Sequence, residues 1–406
     1  MTKNIFLNGP YNYLKLINGD KNIYIFFDWH SELFYQKKCE ETYSVDIDKY
    51  LFEILKNNKN IDFFFEINPT SIEMPINKNI NSKYIHEINK KFRKMYKELQ
   101  TLEIKDVRLH YIDIRDYILF NSIHDSLRFF IMNFNTINSF QISRLGEILN
   151  NIIKNLTLII SLIDSIRSGK EFIIPKINII KKEIENKDLT LSPEHINEIG
   201  AYKLLEKVLI KYTNKNNEKI INDLINEKFL KPLNETIERF KKLLSNVNEL
   251  KPLVDYYEDN WKVVITEKND IINDSQITLN SIPDSIRIQQ EIYKELNNLI
   301  NILLAIFSIP MDAYFLRRFL EKDYINNAII YTGGAHSNLY VWFLIKYCNF
   351  KIEEYDTINN IESKELEKII KESNNDTILN KYLIPEYFKQ CINLKEEINF
   401  NKKIKN

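Results

Sequence analysis

Two adjacent glycines constrain this chain more than any other feature. The sequence holds seven glycines in 406 residues. Gly333 and Gly334 stand side by side after the apolar run Ala328-Ile329-Ile330-Tyr331 and just before Ala335-His336-Ser337-Asn338. Glycine is required where a backbone turns with positive φ or where another group must come close. Beyond the pair, Leu339, Trp342, Phe343 and Tyr347 recur at helical spacing. A strand that passes through Gly-Gly and a histidine into a helix is the ligand-facing edge of an αβ sheet.

The rest of the chain supplies partners for that strand. Asn22 to Phe27 is a continuous β-branched and aromatic run, the pattern of a strand buried on both faces, and it ends in Asp28-Trp29-His30-Ser31-Glu32. Asp46 to Leu55 reads as an amphipathic helix. Ile61 to Phe65 is a second strand, closed by Glu66-Ile67-Asn68-Pro69. A polar helix over residues 82–102 leads to a third strand, Val107 to Ile112, which ends in Asp113-Ile114-Arg115-Asp116. These alternations predict an α/β fold with a mostly parallel sheet flanked by helices.

Residues 121–308 carry only helical periodicities, as in Ile152/Leu156/Ile159/Ile163 and Ile292/Leu296/Leu299/Leu303/Ile306. This predicts a long all-helical insertion dividing the α/β domain into residues 1–120 and 309–394, with a frayed tail over 395–406. Pro232 is expected to end or kink a helix, and 312–321 reads as a separate helix carrying Arg317 and Arg318. A last strand spans 350–355.

Bulk properties exclude several classes. With 56 basic and 56 acidic residues the formal charge is zero, so no nucleic-acid partner is expected. The most apolar stretch, 152–166, is interrupted by Lys154, Asn155 and Asp164, so no membrane span is expected. Cys39, Cys348 and Cys391 form no CxxC pair, and they read as buried free thiols of a protein in a reducing, cytoplasmic setting without a signal peptide.

In a parallel sheet the four strand ends share one edge, so Asp28/His30/Glu32, Glu66/Asn68, Asp113/Arg115 and His336/Asn338 converge. Two imidazoles with two or three carboxylates match the ligands of a divalent metal such as Zn or Mn, here Asp28, His30, Glu66 and His336. The same groups suit metal-free hydrolysis, in which a histidine held by a carboxylate activates water and Arg115 stabilises the oxyanion. The catalytic candidates are His30, Glu66, Asp113 and Arg115. Glu32, Asn68, Gly333, Gly334, Asn338 and Arg317 are the candidates for holding substrate, Arg317 as an anion clamp. His86 and His195 read as exposed, His110 as a packing residue, and His124 is left open.

This ordered set resembles the superfamily that joins erythromycin esterases, the TraB/Tiki proteases and the haem-binding ChaN lipoproteins. It is similar also to proteins of giant DNA viruses that begin with Gly-Pro-x-Asn-Tyr, here Gly9-Pro10-Tyr11-Asn12-Tyr13, and carry Asp-x-His after the first strand. The resemblance covers roughly residues 5–120 and 310–356. It implies that His30, Glu66 and Gly333 to His336 line one pocket, with either histidine-based ester hydrolysis or metal-dependent peptide hydrolysis. The esterase opening has Gly-Glu before its histidine, where Asp28-Trp29 stands here. Two function classes follow: a hydrolase of ester or peptide bonds, in host cytoplasm or virion, or a non-catalytic viral host-interaction protein whose partner docks on 121–308.

Overall fold

The computed structural model describes residues 4–30, 38–41, 43–68, 83–99, 107–118, 120–132, 139–169, 198–268, 286–387, 389–398 and 400. The chain divides into two compact units, one formed by Met1–Ile114 with Tyr314–Asn406, the other by Arg115–Ala313.

Among the described residues the first unit has nine strands: β1 (Ile5–Asn8), β2 (Asn12–Asn18), β3 (Lys21–Asp28), β4 (Val45–Asp46), β5 (Ile61–Phe65), β6 (Val107–Tyr111), β7 (Asn327–Gly333), β8 (Lys351–Tyr355) and β9 (Cys391–Leu394). Six of them form one sheet in the order β6-β5-β7-β3-β2-β8, and β4-β1-β9 form a smaller one. The pairs β6/β5, β5/β7 and β7/β3 are parallel, whereas β2 runs antiparallel to both β3 and β8. Helices α1 (Ile47–Asn57) and α2 (Tyr84–Leu99) make the crossovers from β3 to β5 and from β5 to β6.

Alternation within β5 shows why its three phenylalanines run without a break. Phe63 and Phe65 turn to one face, where Phe92 of α2 stacks on Phe63 at 4.5 Å between ring centroids. Phe64 turns to the other face and meets Phe315 edge-on at 4.9 Å. Both faces are covered, so every residue of β5 is buried. Phe315 in turn packs on Tyr340 of the helix that follows β7. At the start of β5, Asp62 is fully buried and takes two bonds from Arg108 and one from His110.

The second unit is helical. It contains α3 (Phe120–Met132), α4 (Ser139–Ser168), α5 (Glu198–Ile210), α6 (Lys215–Ile225), α7 (Lys231–Lys268) and most of α8 (Ile286–Glu321). Ile142, Leu145, Leu149, Ile152, Leu156, Ile159 and Ile163 of α4 are all buried, the stripe expected of a packed helix. Arg239 and Glu295 form a two-bond ion pair between α7 and α8.

Three expectations change. Pro232 does not end its helix: a π-helical turn, Asn226–Leu230, joins α6 to α7 ahead of it. The wider turn accommodates a ring that lacks an N–H and crowds the carbonyl four residues earlier. Residues 312–321 are no separate element but the end of α8, which continues through Pro310 with Ile309 and Met311 both buried. Among the described residues, two helical stretches, Ile142–Ser168 and Gln290–Glu321, are long and apolar enough to cross a membrane, a test that a core helix also passes, and most of the second is buried inside the protein. Finally, Cys39 and Cys391 are joined in a disulfide, 352 residues apart in sequence, and only Cys348 is a free thiol. The reason lies in β1: Asn8 pairs with Cys391 across the small sheet and accepts the Cys39 N–H on its side chain at 2.9 Å.

Candidate functional site

Strand order decides which side chains can meet. β7 lies between β5 and β3, with Asp28 level with Gly333 and Phe65 level with Tyr331. Groups carried beyond β3 and β5 can therefore touch only across the end of β7. Gly333 leaves that space: a β-carbon there would lie 2.7 Å from His30 Nε2 and 3.5 Å from Glu66 Oε2. Helix α9 (Gly334–Cys348) starts at once and brings His336 to the same point in its first turn. Gly333 has φ −58° and Gly334 opens the helix, so neither is present for left-handed backbone. Close approach is the reason for both.

The arrangement is a relay of four ionisable groups. His30 Nδ1–H donates to Asp28 Oδ2 at 2.7 Å, and its Nε2 faces Glu66 Oε2 at 3.2 Å. Glu66 presents its other oxygen, Oε1, to His336 Nε2 at 3.3 Å. Oε2 also accepts the Gly333 N–H at 2.7 Å, which places the carboxylate at the N-terminus of α9, where the helix dipole favours negative charge. His30 itself adopts φ 55°, an uncommon left-handed conformation for a side-chain-bearing residue, which costs about 1 kcal/mol or more. The preceding Trp29 is exposed while Asp28 is buried.

Charge follows from these contacts. Burial works against a cationic His30, but the Asp28 and Glu66 carboxylates outweigh it and raise the imidazole to about 9. Burial likewise opposes ionisation of Glu66. The two imidazoles, His336 first, overcome that and hold the carboxyl well below its usual range. At neutral pH the site therefore carries an ionised Glu66 and a protonated His30. Burial, and then the Asp28 carboxylate, pushes the phenol of Tyr331 well up.

The other sequence candidates are placed as follows. Asp113 lies at the same edge, half-buried, with its N–H on the Ile67 carbonyl at 3.3 Å, and Asn68 is half-buried two residues beyond Glu66. Asn338 is buried on α9, and its amide donates to Asn380 Oδ1 at 2.6 Å. Arg317 is buried near the end of α8. Arg115 belongs to the helical unit, in a 3₁₀ turn with its guanidinium over the Phe120 ring. Glu32 and His195 lie outside the described residues. His110 is buried in its pair with Asp62 and stacked on Phe64, and His86 is half-buried on α2, not exposed. His124, on α3, pairs with the neighbouring Asp125. Among the described residues, Cys39, Glu41 and Cys391 are the one group of three metal-type donors that all lie within 4.8 Å of one another, with the two sulfurs already joined, and the set Asp28, His30, Glu66 and His336 does not reach that spacing.

Several residues at the site escaped sequence reasoning. Tyr11 is fully buried, and its hydroxyl occupies the space in which a Gly334 side chain would begin. It meets Phe27 and Trp29 edge-on. Gln390 is buried, and its amide donates to the Gly9 carbonyl at 2.9 Å and to Asp28 Oδ1 at 3.4 Å. Asn12 bonds the Thr357 and Leu383 carbonyls. The Gly9-to-Tyr13 segment therefore fastens the site to the C-terminal segment, a role its motif does not announce.

Fold and site together define an α/β protein with a histidine/carboxylate relay at the carboxyl edge of its parallel strands. The chain matches the family of unknown function DUF5847 over residues 5–404 and belongs to that family. It is similar to uncharacterized protein R706 of Acanthamoeba polyphaga mimivirus, 30% identical with 95% of this chain and 94% of the relative covered. Uncharacterized protein R161 of the same virus is 31% identical, with 92% and 94% covered. Uncharacterized protein R129 is 34% identical over 36% of this chain and 92% of its own length. The relation to viral proteins expected from the sequence is thus present. No solved structure matches the chain.

Proposed function

We propose that this protein is a hydrolase of ester or peptide bonds, in which His30 and His336 move protons, Glu66 couples them and Asp28 orients His30. One observation carries the reading: a single buried carboxylate stands between two imidazoles, one oxygen to each. Hydrolysis requires one proton to leave water and another to reach the departing group. His336 accepts the first. His30, protonated between two carboxylates, delivers the second, and Glu66, with one oxygen on each ring, passes the proton taken up by His336 back to His30 and so restores the starting state. The resemblance to erythromycin esterases and TraB/Tiki proteases supports the same reaction class.

The donor set of two imidazoles and one carboxylate supports a second reading with a divalent metal of the Zn or Mn class. Separations of 3.2 and 3.3 Å exceed the roughly 2.7–2.9 Å of a charge-assisted N–H···O bond. Donors of one ion lie about 2.0–2.2 Å from it, so an ion here would have to draw the two imidazoles inward, because the three donor atoms do not all lie within 4.8 Å of one another. His30, Glu66 and His336 would hold it, with Asp28 behind His30 as orienting partner. Bound there, such an ion supplies Lewis acidity and a more acidic water.

Elemental analysis of protein purified without chelators separates the two readings, alongside hydrolysis of chromogenic ester and peptide panels by wild type, His30→Ala and His336→Ala. Turnover lost in both variants establishes the hydrolase, and near-stoichiometric metal lost with it selects the second reading. Turnover unchanged in both variants, or absent from wild type with and without added Zn or Mn, removes the hydrolase reading and leaves a binding role.

A further inference from the structure

The disulfide and the relay are separated by one residue. Cys391 is the first residue of β9, and Gln390 immediately precedes it. Gln390 is 2% exposed, and its side chain and backbone are both committed: the amide donates to the Gly9 carbonyl and to Asp28 Oδ1, and its own carbonyl accepts the Gly9 N–H at 3.0 Å. Asp28 uses its second oxygen for His30 Nδ1. A continuous path of covalent and hydrogen bonds therefore runs from the disulfide through Gln390 and Asp28 to the imidazole.

The parts of this path differ in strength. β9 has four residues and its ladder partner is β1, itself four residues long, so few backbone bonds hold it in register. The disulfide is the covalent anchor beside that short strand. The bond from Gln390 to Asp28, at 3.4 Å, is at the long limit and is lost with a small displacement of β9. Asp28 would then keep its contact to His30 but lose the Gln390 hydrogen bond on its other oxygen.

We propose that Gln390 is a positioning residue for the Asp28/His30 pair and that the Cys39/Cys391 disulfide holds it in place, making the site redox-sensitive. The consequence for turnover rests on the hydrolase reading; the positioning of His30 does not. Opening the latch needs a dithiol: two electrons and two protons pass to Cys39 and Cys391, which become thiols, while the reagent closes its own disulfide.

The test uses full-length protein labelled with ¹³C-histidine, oxidised and after dithiothreitol, with the His30 imidazole resonance identified by its loss in His30→Ala. Gln390→Ala and Cys391→Ser are compared with Cys348→Ser, which removes the free thiol. The expected result is that reduction, Gln390→Ala and Cys391→Ser all move the His30 resonance, whereas Cys348→Ser does not. On an ester that wild type turns over, kcat is expected to fall about 10-fold in the first three with KM unchanged. A His30 resonance unmoved by Gln390→Ala overturns the positioning role, and one moved by Gln390→Ala but not by reduction overturns the redox latch. Absence of turnover in every form counts against the hydrolase reading alone, since the resonance still decides the inference. Should Cys391→Ser fail to fold, Gln390→Ala and reduction of the wild type decide it.

Discussion

Nε2 of His30 lies 2.7 Å from the point at which a side chain on Gly333 would begin. No real β-carbon tolerates that separation, so Gly333→Ala must move the ring. The ring is the tip of a side chain and can give way, but only by leaving Asp28 or Glu66. The expected outcome is a modest loss of stability, about 1–2 kcal/mol in urea titration. A displacement of this size at a reacting group costs on the order of 100-fold in turnover. Turnover within a few-fold of wild type would show that His30 need not occupy this position.

Gly334→Ala should have the opposite balance. Its β-carbon would overlap the Tyr11 hydroxyl and lie 3.0 Å from the ring carbon that bears it. Tyr11 is buried beneath Trp29 and against Phe27, so it cannot swing away as His30 can. A loss of about 3 kcal/mol is expected, despite the gain that alanine brings to a helix. Tyr11→Phe removes the clashing oxygen, so the double variant should recover part of the loss. A thermal-melting cycle with no coupling between the two positions would contradict the contact.

Asp356 provides a pH-dependent prediction away from the relay. Burial raises its carboxyl to about 6, against the Asn393 N–H and the Thr357 hydroxyl, which favour the charged form. A carboxyl raised on folding is best tolerated when protonated. Its contribution is full below the unfolded value near 3.8 and is lost as pH rises through about 6. Asp356→Asn keeps an oxygen for the Asn393 N–H and cannot ionise. It should therefore be more stable than wild type at pH 7, by on the order of 1–2 kcal/mol, with the gain vanishing near pH 4. Equal urea midpoints at pH 7 would refute the raised carboxyl.

The residues that were legible in the sequence share one property: their placement follows from periodicity alone. β3 and β5 are continuous apolar runs, and a parallel sheet puts whatever follows them on one edge, so Asp28, His30, Glu66 and His336 could be grouped without contacts. Their roles could not be read. Asp28 was expected among the metal ligands, yet it backs His30, because that depends on a left-handed turn at position 30. Arg115, only two residues from Asp113, falls in the other unit. Gln390 and the cysteine pair depend on β9 meeting β1, more than 380 residues apart in the case of Asn8 and Cys391, and no local pattern encodes such a pairing. Lys15 and its apolar neighbours in β2 alternate too briefly to mark a strand beside β3.

The buried group at the other end of β5 should be separable from the relay. Asp62, fully buried, is held below the usual carboxylate range against the cost of burial, chiefly by Arg108 and then His110. Arg108 donates twice to it, at 2.7 and 2.6 Å, and lies over the Tyr324 ring. Arg108→Leu leaves the carboxylate with His110 alone, whose cationic form burial disfavours. The expected loss is about 3 kcal/mol at pH 7, most of it recovered by adding Asp62→Asn, since an uncompensated buried charge costs more than a missing pair. The sign with pH is that of a depressed carboxyl: its contribution is present above about pH 4 and is lost as pH falls, so the penalty of Arg108→Leu should shrink in acid. Asp62 and Glu66 are four residues apart along an extended strand, about 13 Å. Urea titration should therefore report the loss while the His30 resonance stays where it is in wild type. Movement of that resonance would mean that the two ends of β5 are coupled through the sheet.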